Sequence, residues 1–94
     1  VSQQPANYKA LANGAGNQLL HTGRIGVVGF TVDAAAAATV KLHDSLDVTG
    51  PIIGEIVLAG AGGDSRVLPN VQVQVGIFVE RSAAAAVVVF VTPT

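Results

Sequence analysis

The chain has 94 residues, of which half are apolar but only 12% are charged and 4% aromatic, with five Lys and Arg against six Asp and Glu. That length excludes a two-domain enzyme, and the net charge of -1 excludes the basic excess that binding to a nucleic-acid backbone requires. A monomer of this size buries only about 63% of its unfolded surface, and with no cysteine for a disulfide or thiolate metal site, oligomerisation is the remaining way to support so small a core.

In chain order, Val1 to Asn7 lacks the basic segment and apolar run of a signal peptide, so no secretion is expected. Tyr8-Lys9-Ala10-Leu11 and Gln18-Leu19-Leu20-His21 read as two short strands separated by the turn-forming Asn13 to Asn17. From Ile25 to Asp33, Val28, Phe30 and Val32 fall on one parity and Ile25, Val27, Gly29, Thr31 and Asp33 on the other, a period of two that reads as a strand. Thr39 to Asp44 alternates more cleanly, which places Val40 and Leu42 inward and Lys41 and His43 toward water. The alanines between, Ala34 to Ala38, are too few for a stable helix; they read as a hairpin connection, with a single helical turn as the alternative.

Asp47-Val48-Thr49-Gly50-Pro51 has turn chemistry, and Ile52 to Ala59 is the strand that follows. Gly60 to Ser65 reads as a flexible loop and Arg66-Val67-Leu68-Pro69 as a short edge piece, since Pro69 cannot donate to a ladder. Val71, Val73, Val75, Ile77 and Val79 then share one parity, the strongest alternation in the sequence, and predict one central strand.

The final segment, Ala85 to Val91, is apolar on both parities, so a strand here needs cover on both faces. One sandwich supplies cover on one side only. Another subunit or a larger particle is therefore expected against Val88 and Phe90, or against Val87, Val89 and Val91, whichever set points outward; the alternative is that the N-terminal segment folds back over it. Val89→Asp is expected to dissociate the oligomer and leave the secondary structure partly intact. Together the elements predict an all-β fold: one compact antiparallel β-sandwich of jelly-roll type with about seven or eight short strands over residues 1–94, in which 1–7 is a candidate flexible arm.

The chemistry-bearing residues are few. His21, His43 and Asp44 supply metal-ligand types, but His43 and Asp44 are neighbours that point to opposite faces of a strand, so exposed strand histidines are expected and no metal or cofactor is. No Ser stands in a nucleophile elbow. Gly60 to Gly63 lacks the Lys-Ser/Thr of a phosphate loop, and Asp44, Asp47, Asp64 and Glu80 read as ordinary surface charge. The expectation is a protein that is not an enzyme. The uncharged run Ser82 to Thr94 is shorter than the ~18–20 residues that span hydrocarbon, so neither a membrane nor a nucleic acid is an expected partner.

Asn7-Tyr8-Lys9-Ala10-Leu11, Gly16-Asn17-Gln18-Leu19-Leu20-His21, Thr39-Val40-Lys41-Leu42-His43-Asp44 and Gly50-Pro51-Ile52-Ile53-Gly54 occur in an order that resembles small structural proteins of tailed bacteriophages. Pro69, the step Val75-Gly76-Ile77-Phe78-Val79 and the Val-rich close extend the resemblance to Val91, while the alanine runs at Ala34 to Ala38 and Ala83 to Ala86 depart from it. The resemblance implies a virion protein of the capsid decoration or cement kind, made in a bacterial cytoplasm and placed on the capsid surface. There it forms homotrimers and bridges copies of the major capsid protein. It carries over no active residue. The subunit contact is expected at Val87, Val88, Val89, Phe90 and Val91, and a contact arm at Val1, Ser2, Gln3, Gln4 and Pro5. A tail, neck or fibre component, or a carbohydrate- or host-surface-binding module, is the alternative.

Overall fold

The computed structural model describes residues 8–92, so the expected arm lies outside the described residues. Eight strands form: β1 (Tyr8–Gly14), β2 (Gln18–Thr22), β3 (Ile25–Ala34), β4 (Ala38–Asp44), β5 (Ile52–Leu58), β6 (Gly62–Val73), β7 (Gly76–Arg81) and β8 (Ala85–Thr92). They make two antiparallel four-stranded sheets, in the orders β1-β8-β3-β6 and β2-β7-β4-β5. Only β4 and β5 are both consecutive and paired; every other connection passes from one sheet to the other. This is the strand order of a jelly roll, an all-β sandwich as the sequence predicts.

The core is built from small β-branched side chains, which pack well on a pleated surface. Val27, Phe30 and Val32 of β3 and Val87 and Val89 of β8 face Val40 and Leu42 of β4, Ile56 of β5, and Ile77 and Val79 of β7, all essentially without solvent contact. Phe30 is the one aromatic residue among them. Its ring reaches the opposite sheet at Gly54, where a Cβ would stand only 2.7 Å from Phe30 Cε1. A large residue on one sheet therefore meets bare backbone on the other.

The mixed parity of β3 has its explanation in a bulge. Val27 pairs with Val91 of β8 and Gly29 with Phe90, which leaves Val28 as an extra residue. Ile25 and Val27 before the bulge and Phe30 and Val32 after it consequently all point inward. Opposite this bulge β6 is irregular too: between Val67 and Val71 it runs through Leu68, Pro69 and Asn70, while β3 places Val28 alone. Pro69 has no N–H to offer and Asn70 takes a left-handed φ of 49°, so the irregularity falls where the ladder is already broken.

Several expectations change. The alternating run from Val71 to Glu80 is two strands, β6 and β7, which turn at Gln74 and Val75 and lie in different sheets. Val73, Ile77 and Val79 all face the core, yet Val75 is exposed at the turn between the layers. Parity reports which way a residue points, not which sheet it belongs to. Of the loop and short edge piece expected from Gly60 to Pro69, only Gly60 and Ala61 stay outside strand; from Gly62 on they are part of one long edge strand, β6, exposed along most of its length. Ala35 to Ala37 forms neither a hairpin nor a helical turn but the passage from β3 to β4, between sheets.

In β8, Val87, Val89 and Val91 point between the sheets, while Val88 and Phe90 point outward. The inner set is covered by the chain's own second sheet, so Val89 belongs to the core and a carboxylate there would be unpaired beside Phe30. Val89→Asp is expected to destabilise the fold by about 4 kcal/mol or more and abolish the cooperative melting transition followed by circular dichroism, rather than merely separate subunits.

Candidate functional site

Two surfaces and two polar clamps hold the residues with recognisable chemistry. The first surface is the outward face of the β1-β8-β3-β6 sheet. Register places Tyr8, Phe90, Gly29 and Val67 in one row across its four strands, and Ala10, Val88, Thr31 and Ser65 in the next. Asp33, Ala86 and Gly63 follow. Asp33 is the one charged residue in these rows. Phe90 is 41% exposed, Tyr8 51% and Val67 87%, so their apolar surface stands in solvent, while Val88 is half-buried among its neighbours. At the far end, Asn70 Oδ1 accepts from Thr92 Oγ1 at 3.1 Å and from Gln72 Nε2 at 3.3 Å, closing a polar patch over Gly26.

The second surface is the outward face of β2-β7-β4-β5, and it is charged. Glu80, Lys41 and Glu55 stand side by side on adjacent strands, with Lys41 Nζ 3.9 Å from Glu55 Oε2. Thr39, Lys41, Glu55, Val57, Glu80 and Ser82 line a shallow polar depression there. Next to it runs the row Leu19, Phe78, His43 and Ile52. His43 points away from the core as expected but is only 3% exposed, because the β4–β5 loop folds over it. Its Nδ1 lies 3.0 Å from Gly50 O and its Nε2 2.8 Å from Glu80 Oε1. The ring also meets Phe78 edge-on, with centroids 6.5 Å apart.

The clamps hold the ends of the sandwich. Asp44 turns its carboxylate to the β6–β7 turn and accepts from the backbone N–H groups of Gln74 at 3.1 Å, Val75 at 2.9 Å and Gly76 at 3.4 Å. At the other end Arg81 is buried with no carboxylate partner among the described residues, and its guanidinium donates to the carbonyls of Gly16, Ala12, Ala85 and Ala15 at 2.9, 3.1, 2.8 and 3.3 Å. Both arrangements fasten loops through charge-assisted hydrogen bonds to the backbone.

The residue types that suggested metal binding do not converge. His21 sits across β7 from Asp44 in the row of Ile77, whereas His43 lies in the row of Phe78. Among the described residues no three His, Cys, Asp or Glu side chains gather in one place. His21 is half-buried rather than exposed, and His43 is buried. No helix among the described residues is long and apolar enough to cross a membrane.

Of the residues expected at a subunit contact, Val88 and Phe90 lie on the outward face, and Val87, Val89 and Val91 do not. Tyr8 and Val67 join that face from β1 and β6, and periodicity gave no sign of it because strand neighbours across a sheet are not neighbours in sequence. Asp44 and Arg81 were equally unreadable as clamps.

Removing the Asp44 carboxylate strands three backbone donors, so Asp44→Ala is expected to lower stability by about 1.5–3 kcal/mol in chemical denaturation, with Asp44→Asn recovering part of it. Burial first, then the Lys9 ammonium, lower the His21 imidazole below its ordinary 6.5, against a smaller upward pull from a backbone hydrogen bond at Arg24. The unfolded chain takes up that proton more readily, so the His21 contribution is fully present above 6.5 and is lost as pH falls through the lowered value. The melting temperature should therefore fall between about pH 7 and pH 5, and His21→Gln should flatten that part of the profile.

No family model, curated protein or solved structure matches the chain.

Proposed function

We propose that this protein is a structural component of a virion, a capsid decoration or cement protein that associates as a homotrimer and bridges neighbouring copies of the major capsid protein. The observation that carries the reading is the outward face around Phe90: a jelly roll with one sheet face that is almost uncharged and bears Tyr8, Val67, Val88 and Phe90 has a surface made for contact rather than catalysis. Jelly rolls recur in viral capsid domains, which agrees with the resemblance carried by the Tyr8–Leu11 and Thr39–Asp44 motifs. Fold alone does not assign a role. The side chains add that the polar groups which could have formed a reactive centre, His43, Asp44, Glu80 and Arg81, are engaged in holding loops and strands.

The work is mechanical. Three linked copies turn each later contact with the shell into an intramolecular event, so modest contacts per subunit add up to a firm hold. Mass spectrometry of purified particles from cells that carry the coding sequence, with heads and tails separated, is expected to find the chain in the head fraction in near-fixed ratio to the shell subunit. Its recovery with tails would move it to a tail or neck role, and its absence from particles would overturn the virion reading.

A further inference from the structure

We infer that the homotrimer, on whose reading this inference rests, is a head-to-tail ring in which β1 of each copy adds to β6 of the next, with Lys9 opposite Asp64. The two flanks of the sandwich, rather than its faces, carry the features that point to this.

Among the described residues, β1 and β2 form one flank and β5 and β6 the other. Each of the four is the last described strand of its sheet, so its outer row of N–H and C=O groups faces no neighbouring strand of the same copy. Three antiparallel pairings separate β1 from β6, and three separate β2 from β5, so the two edges of each sheet run in opposite directions. Two copies set side by side in the same orientation therefore present antiparallel edges to each other in both layers. Such a contact joins unlike surfaces, the kind of interface that closes into rings such as a trimer.

Charge favours unlike flanks over like ones. β1 and β2 hold Lys9 and no carboxylate, and the loop after β2 adds Arg24. β5 and β6 hold Glu55, Asp64 and Arg66, and the loop before β5 adds Asp47. One flank is thus basic and the other acidic. A flank set against its own copy meets like charge, whereas one set against the other flank meets its complement.

The regular stretches of the two edges also coincide. β1 pairs without interruption from Tyr8 to Leu11, ahead of its bulge, and β6 from Gly62 to Val67, ahead of Pro69. They stand at the same height, since Lys9, Val89, Phe30 and Arg66 make one row across the sheet. Without stagger, Lys9 would meet Arg66 of the next copy, an opposition of like charges that destabilises a strand pair. A stagger of two residues keeps each side chain on its own face and sets Lys9 against Asp64, Ala10 against Gly63 and Leu11 against Gly62. Tyr8 then lies diagonal to Val67, which brings two exposed apolar side chains within reach of each other.

Sedimentation equilibrium of the full chain tests this, with circular dichroism to check that each variant keeps the fold. The parent should fit a monomer–trimer equilibrium. Lys9→Glu and Asp64→Lys each turn attraction into repulsion at every contact of the ring, so each is expected to weaken association at least about tenfold. The double variant restores the pair in reverse and should return to within about threefold of the parent. Should a reversal fail to fold, Lys9→Gln and Asp64→Asn remove the attraction alone and should each weaken association at least about threefold. If the single variants associate as the parent does, or the double is as weak as the singles, the pairing falls and the homotrimer reading stands. If the parent is a monomer or stops at a dimer, the reading and the inference fall together.

Discussion

The contact between Phe30 and the bare backbone of Gly54 sets the geometry on which the rest depends. A core made chiefly of valine has little depth per residue, and two sheets lined only with such short side chains would need a close, even approach along their whole length. One aromatic ring received by a glycine supplies the thickness that valines lack and fixes where the layers lie against each other. The ring itself is brought to that point by the bulge at Val28, which restores the inward parity of β3 after Val27. Without the bulge, the alternation set by Ile25 and Val27 would turn Phe30 and Val32 toward solvent, and the β3 row would no longer match Val89 of β8.

The charged groups near the core play a supporting part that follows from the topology. Because nearly every connection crosses between sheets, the loops cannot lean on the regular ladders, and their carbonyl and N–H groups need partners at the ends of the sandwich. Arg81 fills that need at one end with donors alone, and Asp44 at the other with acceptors alone. His43 adds a third tie, from β4 to the β4–β5 loop and to Glu80 of β7. The buried arginine is unusual in having no carboxylate beside it among the described residues. Four peptide carbonyls solvate it instead, so its removal would leave the β1–β2 loop without the group that organises it.

Much of the architecture was legible because alternation is a direct imprint of a two-layer core. Val40 and Leu42 in β4, Val87 and Val89 in β8, and Ile77 and Val79 in β7 all point as their parity requires. What escaped was whatever parity does not encode. Val71 to Glu80 keeps one phase through a change of sheet, since a strand that crosses the sandwich still points its apolar side toward the same interior. Gly62 to Val67 forms strand although its residues are exposed and its glycines disfavour it, because pairing with β3 supplies the hydrogen bonds. The contact face was half readable. Apolar residues on both parities of the last segment announced an uncovered side, but the choice of Val88 and Phe90 over their neighbours, and the addition of Tyr8 and Val67, came from strand order, a long-range property.

The place of β8 also bears on how such a molecule comes into being. It lies between β1 and β3, so the sheet is missing its middle until the last of these residues leaves the ribosome. Until then the nascent polypeptide holds β1 and β3 apart with the hydrogen-bonding edges of both open and Phe30 lacking a neighbour at Val89. Synthesis from one end thus delivers a half-made layer that only β8 can complete, and the pairing of β1 with β3 through it is deferred until β8 has emerged.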